Sequence, residues 1–154
     1  MNANPTKVLL VTTLGNITIE LYDDMPITSR NFKNLTQRGI YDGTFFHRVV
    51  HDFVIQGGDA SLKSINVPTI PDELPNKHSN VRGSVGMAKT SEPNSATSQF
   101  YINLKDNLRL DSNYSVFGRV IAGMDVVDVT GNKPTDTNDK PLQDVMVIRA
   151  EFIK

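Results

Sequence analysis

The chain has 154 residues, 38% hydrophobic and 21% charged, a size and composition suited to one globular domain with one core. A formal charge of -1 leaves no basic field of the kind that draws proteins onto nucleic acid or anionic lipid. With no cysteine, thiol nucleophiles, disulfides and thiolate metal sites are excluded.

Residues 1–6 contain no apolar run, and no later window approaches the roughly 20 apolar residues a membrane span requires. They read as a short tail before a single domain at 7–154, expected to be cytoplasmic, soluble and monomeric. Runs at 8–13 and 17–22 are rich in β-branched residues and separated by a turn holding Gly15 and Asn16, which predicts a β-hairpin. Alternation in the second run sets Ile17, Ile19 and Leu21 on the inward face. After Pro26 and Ile27, a helix is predicted over 29–39, with Thr28 as its cap and Gly39 as its end; Phe32 and Leu35 share a face. Further strands are predicted at 54–56, 85–88, 99–104, 114–120 and 145–152, a short helix at 124–129, and an exposed polar connection at 131–140. Many short strands with two helices and no regular alternation point to an antiparallel barrel or sandwich.

The most informative segment is 45–59, where Arg48 and Gln56 stand among Phe45, Phe46, Val49, Val50, Phe53, Val54 and Ile55. His47 and His51, four apart, would suggest a metal pair on a helix, but their surroundings are strand-like and no third ligand is well placed, so no metal site is expected. A structural hydrogen bond is the expected role of His47. Gly57-Gly58 reads as a bend rather than a phosphate loop, because no Lys-Ser/Thr pair follows.

This segment resembles a signature of the cyclophilins, the peptidyl-prolyl cis/trans isomerases, and 98–103 (Ser-Gln-Phe-Tyr-Ile-Asn) and 116–118 (Val-Phe-Gly) resemble two others in the family's order. The loop at 90–97 is similar in length to that of bacterial members. The resemblance implies a mainly β fold, a closed eight-stranded antiparallel β-barrel capped by two α-helices. It also implies catalysis on X-Pro bonds of unfolded or flexible protein segments, assisting their folding. That reaction crosses a barrier of about 18–20 kcal/mol set by amide resonance. No bond breaks, so neither a nucleophile nor a cofactor is needed; a fixed cation, backbone-holding donors and an apolar grip on the ring suffice. The resemblance assigns the catalytic positions to Arg48, Gln56 and Phe53. Substrate binding falls to Val54, Ala88, Lys89, Gln99, Tyr101, Arg109, Leu110 and Tyr114, with proline-containing peptides and unfolded proteins as partners.

Several of these positions differ from the commonest family pattern. Arg109 stands where many eukaryotic cyclophilins have a tryptophan that helps bind cyclosporin, so weak inhibition by that drug is expected. Tyr101 replaces a phenylalanine, which predicts a shallower or more polar pocket; Val54 replaces a methionine, Tyr114 a histidine, and His51-Asp52 a Pro-Gly turn. The changes at Tyr101, Arg109 and Tyr114 motivate an alternative: a module of the same fold that holds proline peptides with little catalysis. A barrel carrying a small apolar ligand in its interior is a third reading.

Overall fold

The structure is a computed structural model that describes residues 6–153; residues 1–5, most of the predicted tail, lie outside the described residues. Among the described residues, nine strands form one antiparallel sheet: β1 (Lys7–Thr12), β2 (Gly15–Leu21), β3 (Thr44–Phe45), β4 (Arg48–Val50), β5 (Val54–Gly57), β6 (Ser84–Met87), β7 (Phe100–Asn103), β8 (Val116–Ala122) and β9 (Met146–Ile153). They pair in the order β3-β9-β1-β2-β8-β6-β7-β5-β4. Only Phe46 and His47 separate the two terminal strands in the chain, so the sheet curls until its ends meet. The expected eight strands become nine because Phe46 and His47 interrupt one bent strand, leaving β3 and β4 on either side. Phe46 is buried and its N–H donates to Val145 O at 2.9 Å, one step beyond the β3–β9 pairing.

The β1–β2 hairpin forms as predicted, with Thr12 opposite Gly15 and with Ile17, Ile19 and Leu21 buried. The barrel interior is packed with side chains, among them Val8, Leu10, Ile17, Ile19, Phe100 and Ile102, each fully buried. An interior ligand would have to displace this packing.

Helix α1 (Pro26–Gln37) packs against β8 and β9, and helix α2 (Met124–Gly131) against β2, β4 and β5. The predicted cap of α1 is corrected: the helix begins at Pro26, placing Thr28 inside the first turn. Glu73, from a loop 45 positions along the chain, supplies the cap instead. Its carboxylate accepts from Ile27 N at 3.0 Å and from Thr28 N and Oγ1 at 2.8 Å. Proline at the first position has no N–H to satisfy, so the carboxylate meets the next two donors. The end is as predicted. Gly39 adopts φ +71°, Ile40 N donates to Leu35 O at 3.0 Å and Gly39 N to Thr36 O at 3.1 Å, the paired bonds of a Schellman ending. No helix among the described residues is long and apolar enough to cross a membrane.

Candidate active site

Strand alternation sorts the signature segment into two faces. Val49, Ile55, Ile102 and Val85 point into the core, so Arg48, Val54, Gln56 and Tyr101 face outward. Register then assembles a row across four strands: Arg48 opposite Gln56, Gln56 opposite Tyr101, and Tyr101 opposite Gly86. Gly86 is needed there, because a Cβ would fall inside van der Waals contact of the Tyr101 ring and hydroxyl. Outside the barrel, Val54, Ala88 and Tyr101 form a second buried apolar cluster joined by Phe53, Leu110 and Tyr114.

These groups, together with Arg48, Gln56 and Lys89, line a cavity of about 150 Å³. That volume suits a pyrrolidine ring, which is held by area rather than by hydrogen bonds. Arg48 Nη1 donates to Gln56 Oε1 at 3.0 Å, and Gln56 Nε2 donates to Gln99 Oε1 at 2.8 Å. The chain of amides orients the guanidinium while spending one of its five donors. Lys89 forms a largely buried ion pair with Asp72 (2.9 Å) and lies 5.7 Å from the centre of the Tyr114 ring, so its charge is already partnered.

Two expected residues lie beside the cavity rather than in it. Gln99 reaches it through Gln56 and lines a neighbouring depression with Thr90, Ser95 and Thr97. Arg109 lies over the outer face of Phe53, 5.1 Å from the ring centre, and lines a second depression with His51, Asp52 and Lys105.

The expected polar effect of Tyr101 is corrected. Its hydroxyl donates to Asn80 Oδ1 at 2.6 Å and is buried, so it adds no free polar group to the cavity. Burial is also the main reason the phenol is pushed far above its ordinary range, with Tyr114 and Asp111 adding to the rise and the Asn80 bond opposing it; the hydroxyl stays protonated.

Asn80 belongs to a buried lattice beneath the pocket that sequence reading did not find. Asn103 Nδ2 donates to Asn80 Oδ1 at 3.0 Å, Asn107 Nδ2 to Asn103 Oδ1 at 2.9 Å and to Phe53 O at 3.1 Å, and Asn80 Nδ2 to Asp111 Oδ1 at 2.9 Å. Phe53, Tyr101 and Leu110, whose N–H donates to Asn107 O at 3.0 Å, are thus tied to one network. Burial pushes the Asp111 carboxyl up, but hydrogen bonds from Asn80 and Ser79 outweigh it and hold the group below its usual range. Asn103, polar within the run 100–103, is the one member that sequence alone could have flagged.

The structural hydrogen bond expected of His47 is not formed. Nδ1 is buried without a partner among the described residues, and the side chain lines a groove with Phe45, Phe46, Leu62, Lys140, Pro141 and Asp144. His51 is separate from it, with Nε2 2.9 Å from Lys133 O.

A family profile described as cyclophilin type peptidyl-prolyl cis-trans isomerase/CLD matches residues 7–152. The peptidyl-prolyl cis-trans isomerase of Acinetobacter baylyi is 45% identical, covering 96% of this chain and 85% of its own length. Peptidyl-prolyl cis-trans isomerase A of Dickeya dadantii is 40% identical, covering 97% and 85%. Among solved structures, a cyclophilin type isomerase of Cryptosporidium parvum superposes with a TM-score of 0.90 at 27% identity, covering 98% of this chain and 99% of that one. The same protein, crystallised in the presence of the dipeptide Ala-Pro, gives 0.89 at 28% identity, covering 96% and 99%. With its fold, its outward row of Arg48, Gln56 and Tyr101 and these relatives in agreement, the chain belongs to the cyclophilin-type peptidyl-prolyl cis-trans isomerase family.

Proposed function

We infer that the domain at 7–154 isomerises X-Pro bonds in flexible or unfolded protein segments, with Arg48 as the catalytic group and Phe53, Val54, Tyr101, Leu110 and Tyr114 as the proline grip. The observation that carries this reading is Arg48 itself. It is a half-buried guanidinium at the rim of an apolar cavity, oriented by the Gln56–Gln99 pair and without a carboxylate to neutralise it among the described residues.

Rotation about the X-Pro bond turns the prolyl nitrogen from planar to pyramidal and returns a lone pair to it. The ring rests in the cavity while Gln56 and the backbone of Ala88 and Lys89 hold the adjoining peptide. A donor of Arg48 directed at the nitrogen bonds strongly only to the twisted state, and the barrier falls by the differential. A charge-assisted hydrogen bond is worth roughly 1.5–3 kcal/mol, about a tenfold to a hundredfold in rate. Fixed orientation in a site shielded from water raises that further.

The alternative of a binding module with little catalysis loses one of its three motives, because the Tyr101 hydroxyl is engaged with Asn80. The deciding experiment compares cis/trans exchange of a short X-Pro peptide with the wild type and with Arg48→Ala, both checked for folding by circular dichroism. Exchange should be fast with the wild type and fall at least a hundredfold in the variant. Unchanged exchange in folded Arg48→Ala would overturn the role of Arg48, and no acceleration by folded wild type would leave the binding module as the better reading.

A further inference from the structure

Three cations surround the pocket, and they differ in how they are neutralised. Lys89 is paired with Asp72. Among the described residues, Arg48 bonds only to the neutral amide of Gln56. Arg109 is exposed, stacked over Phe53, and has no carboxylate within 4 Å among the described residues.

Two depressions adjoin the cavity. One shares Gln56, Ala88 and Lys89 with it and adds the amide and hydroxyl groups of Gln99, Thr97 and Ser95. The other shares Phe53 with it and holds the Arg109 guanidinium. Asp52, Asp106, Lys105 and His51 share that second depression. None of these carboxylates pairs with Arg109, and Asp106 Oδ1 accepts from Arg82 N at 2.9 Å. What distinguishes Arg109 is its place against the ring that lines the cavity.

Resting on the reading of this cavity as the proline site, we propose that the enzyme prefers prolines with an acidic residue on the flank that crosses Phe53, and that Arg109 is the specificity determinant. The stack holds the guanidinium in place, so less side-chain freedom is lost when a carboxylate pairs with it. The pairing is solvent-exposed, which limits it to the worth of a surface ion pair and makes it sensitive to salt.

The test uses six peptides with Glu, Lys or Ala either just before or just after one proline, assayed by exchange NMR against the wild type and Arg109→Gln. At low salt, kcat/KM should favour Glu over Lys by roughly three- to tenfold at one of the two positions, since attraction and repulsion both contribute. The ratio should shrink in 0.5 M salt and approach one in Arg109→Gln. A wild-type ratio of one at both positions would overturn the proposal, as would a ratio that survives in Arg109→Gln. If no peptide is accelerated, the isomerase reading fails instead. The dissociation constants of the same peptides, measured by NMR titration, then decide the charge preference by the same criterion.

Discussion

The lattice beneath the pocket makes a sharp prediction about sign. Tyr101→Phe removes one hydroxyl and keeps the ring, while Asn80 Oδ1 keeps its bond from Asn103 Nδ2 at 3.0 Å. Nothing is orphaned, so the cost should be about 1 kcal/mol, the net worth of one hydrogen bond. For a domain of this size that is roughly 2–4 °C in Tm. Asn80→Ala is different. It removes the acceptor of the Tyr101 hydroxyl at 2.6 Å and one of two donors to Asp111 Oδ1, which keeps the backbone N–H of residue 80 at 2.7 Å, and it leaves Asn103 Nδ2 with a 3.4 Å contact to Ser84 O. One buried unpaired hydroxyl, one weakened amide and a small cavity sum to about 3–5 kcal/mol. In that background Tyr101→Phe deletes the stranded hydroxyl and should stabilise the protein by about 1 kcal/mol, reversing its sign. Urea denaturation followed by circular dichroism on the wild type, both single variants and the double variant measures all four corners of the cycle. If Tyr101→Phe destabilises both backgrounds equally, the lattice does not hold Tyr101 in the way described.

Glu73→Ala should cost about 1–2 kcal/mol by leaving Ile27 N and Thr28 N at the start of α1 without their acceptor, and Glu73→Gln about half that; urea midpoints for both variants check the ranking. Asp111 has a folded pKa below its unfolded value, so its contribution to stability is present above the unfolded pKa and is lost as pH falls through the folded one. The stability gap between the wild type and Asp111→Asn should therefore narrow steadily as denaturation is repeated below about pH 4; a constant gap would contradict the assignment. Cyclosporin should inhibit weakly because Arg109 stands where the family's drug-binding tryptophan would be, and Arg109→Trp should lower the inhibition constant at least tenfold. Nanomolar inhibition of the wild type would refute this.

Much of the architecture was legible locally. The β1–β2 hairpin, the Gly39 ending of α1 and the inward set Ile17, Ile19 and Leu21 follow from turn chemistry and a period of two, which are properties of neighbouring residues. Arg48, Phe53, Val54 and Gln56 could be picked out because they lie within one short stretch, and the outward row they share follows from the same alternation once β4 and β5 are paired. Tertiary structure decided what depends on residues far apart in the chain. Glu73 caps a helix 45 positions away, Asn80 meets Tyr101 across 21 positions, and Asp72 rather than a substrate partners Lys89. Hydrogen bonds and ion pairs act over about 3 Å, so a polar residue's partner is fixed only when the sheet curls and brings distant loops together. The sequence by itself therefore determined which residues could do the chemistry, whereas the curled sheet determined which of their polar groups remain free to do it.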